Sequence, residues 1–200
     1  MFYNLLKIIV KILFKTIWKL NIEGTENIPG KGPLIIVANH SSLLDGFVMI
    51  AVFKFKLTFL SAAYLFDIPM VGFILKKLGA IPVSTKRKTV SSVRTVKKVS
   101  EILKNNGVLM IFPEGGIKGN NKINDIKAGA AYFSVKSKIL VLPVAIFGTE
   151  QILPTGRIVP HIVGNVTVKI GNPIIPRDNI EDMSKLIVEH LNKLMDGEVK

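Results

Sequence analysis

The sequence predicts an α/β fold: one domain on a mostly parallel central sheet flanked by helices, with an amphipathic helix at the N-terminus. Three observations carry this expectation. Short, continuously apolar runs at residues 34–38, 108–112 and 140–147 have the length and uniformity of buried strands. Segments of helical pattern alternate with those runs, as in folds that cover a sheet with helices. The chain of 200 residues is long enough for one well-formed core and too short for two ordinary domains. The expected division is a helix over residues 1–20 and an α/β domain over residues 21–200.

In residues 1–20, lysines fall at 7, 11, 15 and 19, one every four residues. At about 100° per residue they trace one slowly drifting stripe, and Leu, Ile, Val, Phe, Tyr and Trp18 cover the rest. A helix of this kind lies in the headgroup plane of a membrane, and Lys7, Lys11, Lys15, Trp18 and Lys19 are its expected membrane-binding residues. It does not span, because lysines interrupt every turn of the roughly 20 apolar residues that spanning requires. It lacks the unbroken apolar run and cleavage site of a signal peptide. The alternative is a terminal helix packed on the domain's own core.

Residues 21–31, with Gly24, Pro29 and Gly30, read as a turn-rich connection into the strand at 34–38, which Pro33 and Asn39 punctuate. Residues 45–53 read as a helix and 57–62 as a strand. Residues 69–78 form a short helix capped by Gly79, and 80–83 a third strand. Val90, Val93, Val96, Val99 and Ile102 recur every three residues up to Asn105-Asn106-Gly107, which predicts an amphipathic helix with these side chains in the core. A strand follows at 108–112, a helix rich in small residues at 127–136, and a strand at 140–147. Residues 151–165 are an irregular loop long enough to be functional rather than a mere connector. The chain ends in a strand at 166–170 and an amphipathic helix at 178–195.

Composition narrows the chemistry. With no cysteine, disulfides, thiolate metal sites and a Cys nucleophile are excluded. His40, His161 and His190 are scattered without metal-ligand spacing, which argues against zinc. The net charge of +13 and pI near 9.9 call for an anionic partner. Only four of the 27 basic residues are arginine, whereas base-edge and RNA recognition lean on arginine. The 48% hydrophobic content points away from nucleic acid and toward a membrane surface.

His40 stands just past the carboxyl end of the strand at 34–38, where open α/β sheets bind ligands. Asp45 follows five residues later. The plainer account makes Asp45 a helix N-cap and His40 a satisfied loop histidine. Glu114, in Pro113-Glu114-Gly115-Gly116, stands past the strand at 108–112 in the equivalent place, so the two groups could share a crevice; an ordinary turn is the alternative. Lys86, Arg87 and Lys88 cluster in the loop at 84–89, either as a phosphate site or as a solvated turn.

With these residues in place, the stretch 21–173 resembles the 1-acyl-glycerol-3-phosphate acyltransferase family of phospholipid biosynthesis. Four blocks carry the resemblance in order: Asn39-His40 with Asp45; Gly79-Ala80-Ile81-Pro82-Val83 before a basic loop; Phe112-Pro113-Glu114-Gly115; and Val141-Leu142-Pro143-Val144-Ala145. The resemblance implies acyl transfer from a thioester to the hydroxyl of a lysophospholipid. His40 would be the general base, with Asp45 fixing its tautomer. Glu114, with backbone N–H groups around Gly115 and Gly116, would position the acceptor or stabilise an oxyanion.

The sequence departs from the family where Gly116-Ile117 replace Thr-Arg and Thr85 replaces an arginine. Lys86, Arg87, Lys118 and Lys127 are the candidates to neutralise the acceptor's phosphate, most of them as point charges without a bidentate fork. Neither a Gly-x-Ser-x-Gly elbow nor a cysteine occurs, which favours direct attack over an acyl-enzyme; Ser41 and Ser42 are the alternative nucleophiles. The implied partners are an anionic membrane surface, a lysophospholipid and an acyl carrier protein or CoA thioester, with no nucleic acid, cofactor or metal. The implied location is the cytoplasmic face of the cell membrane, peripheral or monotopic. Another lysolipid acceptor, water as acceptor, or a non-catalytic lipid-binding role are the competing expectations.

Overall fold

The apolar runs become the middle of a single sheet. The computed structural model describes residues 2–30, 32–83, 93–119, 122–157 and 159–197. Its strands are β1 (Asn21–Glu23), β2 (Leu34–Ala38), β3 (Leu57–Ala62), β4 (Ile81–Val83), β5 (Val108–Ile111), β6 (Val141–Phe147) and β7 (Thr167–Ile170). They lie in the order β1-β7-β6-β2-β5-β3-β4, every pairing parallel except β6 with β7. β1 occupies part of the stretch expected to be only a connection. With three residues and no fully buried side chain it leaves almost no apolar signature.

Successive residues of a strand point to opposite faces, and β2 divides its side chains accordingly. Leu34, Ile36 and Ala38 enter one core cluster, Ile35 and Val37 the other. The first face is covered by α1 (Phe2–Thr16), α2 (Asp45–Val52) and α3 (Pro69–Leu78); the second by α4 (Val93–Lys104), α5 (Gly129–Ser137) and α7 (Ile180–Met195). A four-residue helix, α6 (Thr149–Ile152), follows β6. Burial on both faces explains why the central strands are uninterrupted apolar runs.

The valine repeat reaches the core in part: Val96 and Ile102 are half-buried against the second cluster, flanking Val99. In α4, Val99 is fully buried while Val93 is 87% exposed, and the buried face is Thr95, Val99 and Leu103. A step of three residues turns about 300°, so a repeat of threes slips around the helix and cannot stay on one face; the spacing of four does the packing. Val90, together with Lys86, Arg87 and Lys88, lies outside the described residues.

α1 presents apolar side chains on two sides. Tyr3, Val10 and Phe14 are buried against α2 and the sheet, and the Tyr3 hydroxyl accepts from the Leu57 backbone N–H at 3.0 Å. Leu5, Ile8, Ile9, Ile12 and Leu13 remain exposed, with Lys11, Lys15 and Lys19 also in solvent. Two expected membrane residues are placed otherwise. Trp18 lies beyond the end of the helix, buried against Phe14 with ring centroids 4.9 Å apart, its indole N–H donated to the His161 carbonyl. Lys7 is half-buried and its ammonium donates to the Lys54 carbonyl at 2.6 Å, with burial and then Lys11 lowering its pKa. Lys7 turns inward because α1 docks beside α2, whose following Lys54 carbonyl takes its ammonium, and Trp18 because it lies past the helix and packs on Phe14; a lysine every four residues reveals neither. Among the described residues no helix is long and apolar enough to cross a membrane.

Candidate active site

Three adjacent parallel strands, β5, β2 and β6, end side by side, and residues within three positions of each end contribute to one cluster. Asn39 leaves β2 with its amide locked on β6: Nδ2 donates to the Ile146 carbonyl at 2.8 Å and Oδ1 accepts from the Ile146 N–H at 2.7 Å. This fully buried bracket prolongs the β2–β6 ladder by one side chain and fixes where His40 emerges.

His40 and Asp45 meet. His40 Nδ1 lies 2.8 Å from Asp45 Oδ2, and the same oxygen accepts the backbone N–H groups of Ser41 at 2.7 Å and Ser42 at 2.9 Å. Asp45 opens α2 but turns its carboxylate back over the preceding loop; the helix has no side-chain cap. It is fully buried, and the donors to its Oδ2 all come from the short loop it follows, which accounts for the five-residue spacing. The His40 ring stacks on Phe112, centroids 4.1 Å apart and 15° from parallel, which sets its plane. With Nδ1 engaged by Asp45, Nε2 is the ring nitrogen available to a substrate proton.

Ser41 and Ser42 are buried members of the same scaffold. Ser42 Oγ donates to the Leu153 carbonyl at 2.8 Å; Ser41 Oγ lies 3.1 Å from Thr149 Oγ1 and 3.4 Å from Glu150 Oε2. Thr149, first residue of α6, donates its hydroxyl to Asp45 Oδ1. It was not among the residues singled out from sequence. The only signal for it is its place just past β6, the third of the adjacent strand ends.

Glu114 Oε1 accepts the backbone N–H of His40 at 2.8 Å, and the Lys118 N–H donates to the His40 carbonyl at 2.9 Å. The loop after β5 therefore clamps both sides of the His40 peptide. Burial is the main influence on Glu114 and pushes its pKa up, partly offset by the His40 N–H, His40 itself and Lys118. Gly115 has φ 74°, open to glycine at little cost, and the Lys127 side chain lies across it: a Cβ there would meet Lys127 Cε at 2.2 Å. Lys127 is tied to the loop by its N–H to the Pro113 carbonyl at 2.8 Å. The structure thus brings together His40, Asp45, Glu114, Gly115, Gly116, Lys118 and Lys127; Lys86 and Arg87 lie outside the described residues.

His40, Gly115, Gly116 and Lys127 border a cavity of about 330 Å³. Its remaining wall is mostly apolar, running from Phe47 and Ile50 of α2 past Phe59 of β3 to Ile74 and Leu75 of α3, with Ser61 and Tyr64 as its polar members. The cavity thus joins an imidazole and the Lys127 side chain to a wall that is chiefly hydrocarbon. Such a space accepts an amphiphile, chain inward and reactive group at His40.

Comparison with known proteins agrees with this arrangement. A chloroplastic 1-acyl-sn-glycerol-3-phosphate acyltransferase of Arabidopsis thaliana is 34% identical over 160 residues, covering 78% of this chain and 44% of that protein. The 1-acyl-sn-glycerol-3-phosphate acyltransferase of Borreliella burgdorferi is 24% identical over 181 residues, 90% of this chain and 70% of its own length. The crystal structure of the 1-acyl-sn-glycerophosphate acyltransferase PlsC from Thermotoga maritima superposes with a TM-score of 0.80 at 28% identity, covering 98% of this chain and 78% of that one. The chain spans about half the length, or less, of the plant and algal relatives it matches. The model of the Acyltransferase family matches residues 19–147, a span that holds β1 to β6 and both clamped loops, and the chain belongs to that family.

Proposed function

We propose that the chain transfers a fatty acyl group from an acyl thioester to the free hydroxyl of a lysophospholipid, with 1-acyl-glycerol-3-phosphate as acceptor and phosphatidic acid as product. The observation that carries this reading is the His40–Asp45 pair, 2.8 Å apart, on the wall of a mostly apolar cavity. His40 Nε2 takes the acceptor's hydroxyl proton as the oxygen attacks the thioester carbonyl. Asp45 holds the tautomer and offsets the charge of the imidazolium. The tetrahedral intermediate collapses by C–S cleavage, and the imidazolium returns the proton to the departing thiolate, so His40 ends neutral. The sequence needs no metal or cofactor.

Lys127, at the cavity, and Lys118, exposed on the same loop, are the groups placed to meet the acceptor's phosphate. They act as point charges in the place of a bidentate arginine. Glu114 serves the acceptor indirectly, by holding the His40 main chain from which the base projects.

Amphiphilic acceptor and product both reside in a bilayer, and α1 supplies the docking surface. Its outward Leu5, Ile8, Ile9, Ile12 and Leu13 face the acyl region, with Lys11, Lys15 and Lys19 at the anionic headgroups. Three lysines near an anionic leaflet contribute about 3 kcal/mol. The enzyme is peripheral or monotopic on the cytoplasmic face, and its donor arrives on acyl carrier protein or CoA.

The test is acyl transfer from both donors to lysophosphatidic acid in anionic liposomes. His40→Ala is expected to lower turnover by about 10² to 10⁴-fold, with vesicle binding and thermal midpoint unchanged. Wild-type protein inert toward every lysolipid would overturn the reading, and fatty acid released without an acceptor would replace it with a hydrolase.

A further inference from the structure

The loop between α6 and β7 is long, firmly tied, and apolar where it is most exposed. Val166 donates its N–H to the Trp18 carbonyl at 3.1 Å, and the Trp18 indole donates to the His161 carbonyl at 2.9 Å. His161 N–H in turn bonds the Ile152 carbonyl at 2.7 Å, and Arg157 Nη1 lies 2.8 Å from His161 Nε2. Gly164 passes so near Ile152 that a Cβ would come within 2.5 Å of its side chain. The loop therefore presses onto α6 directly after Val163. These ties leave Val159, Ile162 and Val163 at 75%, 79% and 85% exposure. Single exposed aliphatic residues are ordinary on protein surfaces, whereas three within five positions of a pinned loop mark an interaction surface.

Two features identify what covers it. Trp18 ties the loop to the end of α1, immediately after the exposed Ile17, so the exposed apolar residues of the loop adjoin the end of a helix that also exposes an apolar row. Every charged side chain in residues 2–20 and 154–166 that is charged at neutral pH is a cation: Lys7, Lys11, Lys15, Lys19 and Arg157. Aliphatic tips with only cations behind them complement an anionic bilayer and suit neither an aqueous surface nor a basic partner.

We infer that residues 159–163 form a second membrane contact, with Val159, Ile162 and Val163 entering the acyl region beside α1, Arg157 at the phosphates, and Trp18 acting as the bracket between the two. The inference rests on the reading of α1 as a membrane-docking helix. A helix lying in the interface is free to roll about its own axis. A second contact away from that axis removes the freedom and sets the direction in which the His40 cavity faces the bilayer.

The chain has no cysteine, so I162C, I8C and I175C each accept one environment-sensitive fluorophore. Ile175 is 73% exposed and follows Ile174, which pairs with the start of β6, the opposite end of that strand from the loop. With vesicles of phosphatidylglycerol and phosphatidylcholine, labels at 8 and 162 are expected to shift to the blue and be quenched by nitroxides on the acyl chains, while the label at 175 stays in water. The pair I162S/V163S is expected to lower vesicle partitioning at least tenfold with an unchanged thermal midpoint. A label at 162 that stays in water while the label at 8 shifts overturns the second contact and leaves α1 docking intact. Silence at both positions removes both readings. A shift at 162 that grows with protein concentration without vesicles assigns the loop to a second copy of the chain and overturns the inference, as does unchanged partitioning of I162S/V163S.

Discussion

The two oxygens of Asp45 face different elements: Oδ2 serves the His40 loop, and Oδ1 takes the hydroxyl of Thr149 from α6. Removing that hydroxyl leaves a fully buried carboxylate oxygen short of a donor, at a cost of about 1–3 kcal/mol. Thr149→Val is therefore expected to lower kcat about tenfold, through loss of His40 alignment, with KM for the acceptor little changed. Thr149→Ser keeps the donor and should retain most of the activity. Steady-state kinetics of the two variants decide it, and equal losses would show that the methyl group matters rather than the hydroxyl. Glu114 makes a separate statement in pH. Its pKa is raised by burial, so between its ordinary value of 4.5 and the raised one the folded chain holds more proton than the unfolded chain. Stability from this group falls as pH rises through that window and returns as pH falls. Glu114→Gln removes the titration, so its thermal midpoint should gain on the wild type as pH increases from 4 to 8. A difference that is flat in pH would sink the account. His40 and Asp45 were legible because a strand end and a polar loop place them five residues apart. Thr149 was not, because its partner is 104 residues away and joins it only through the β2–β6 pairing.

At the scale of elements, the clearest readings came from segments whose environment is uniform. β2, β5 and β6 are buried on both faces and announce themselves as apolar runs, and α3 ends at Gly79 with φ 75°, the left-handed cap that glycine favours. Amphipathic helices were legible, but not which of their apolar residues meet the core. In α4 the repeat of threes slipped off the core at Val93, and in α1 an apolar majority concealed one face turned to α2 and another turned outward. Sequence periodicity registers that a side is apolar and is blind to which neighbour covers it. The loop after β5 shows the same dependence on context. Gly115 and Gly116 are adjacent glycines, yet of the two only Gly115 has positive φ and the Lys127 side chain across it; among the described residues nothing lies within 4 Å of a Cβ built on Gly116. Gly115→Ala should thus cost about 1–2 kcal/mol from the left-handed backbone alone and displace Lys127, whereas Gly116→Ala should change the thermal midpoint little. Thermal unfolding of the pair, read beside KM for lysophosphatidic acid, tests both parts. An equal loss of stability in the two variants would contradict the assignment.

For the molecule as a whole, the helix proposed to dock on the membrane is also part of the folded core. A peripheral helix could be an appendage that touches lipid and leaves the domain unaffected, but α1 contributes Tyr3, Val10 and Phe14 to the same core cluster as β2, α2 and α3. Covering a large apolar side chain is worth about 1.5–3 kcal/mol, so these three account for roughly 5 kcal/mol or more. That approaches the whole stability of a typical domain, about 5–15 kcal/mol. Loss of the Tyr3 hydroxyl also strips the Leu57 N–H of its acceptor at the start of β3, a strand whose side chains border the cavity. A chain beginning at Ile17 is therefore expected to lose cooperative thermal unfolding even in detergent, where an absent membrane contact has no effect. The variant Ile8→Ser/Ile12→Ser, which alters only the outward face, should unfold like the wild type and fail to bind vesicles. If the shortened chain instead melts cooperatively near the wild-type midpoint, α1 is an accessory to a self-sufficient domain. If the outward variant loses its melting transition, the exposed row is a buried face in solution, covered by another part of the molecule or by a second copy. The expected pair of results, folding lost in one and membrane binding lost in the other, would mean that the side of α1 that builds the core also fixes how the His40 cavity is held against the bilayer.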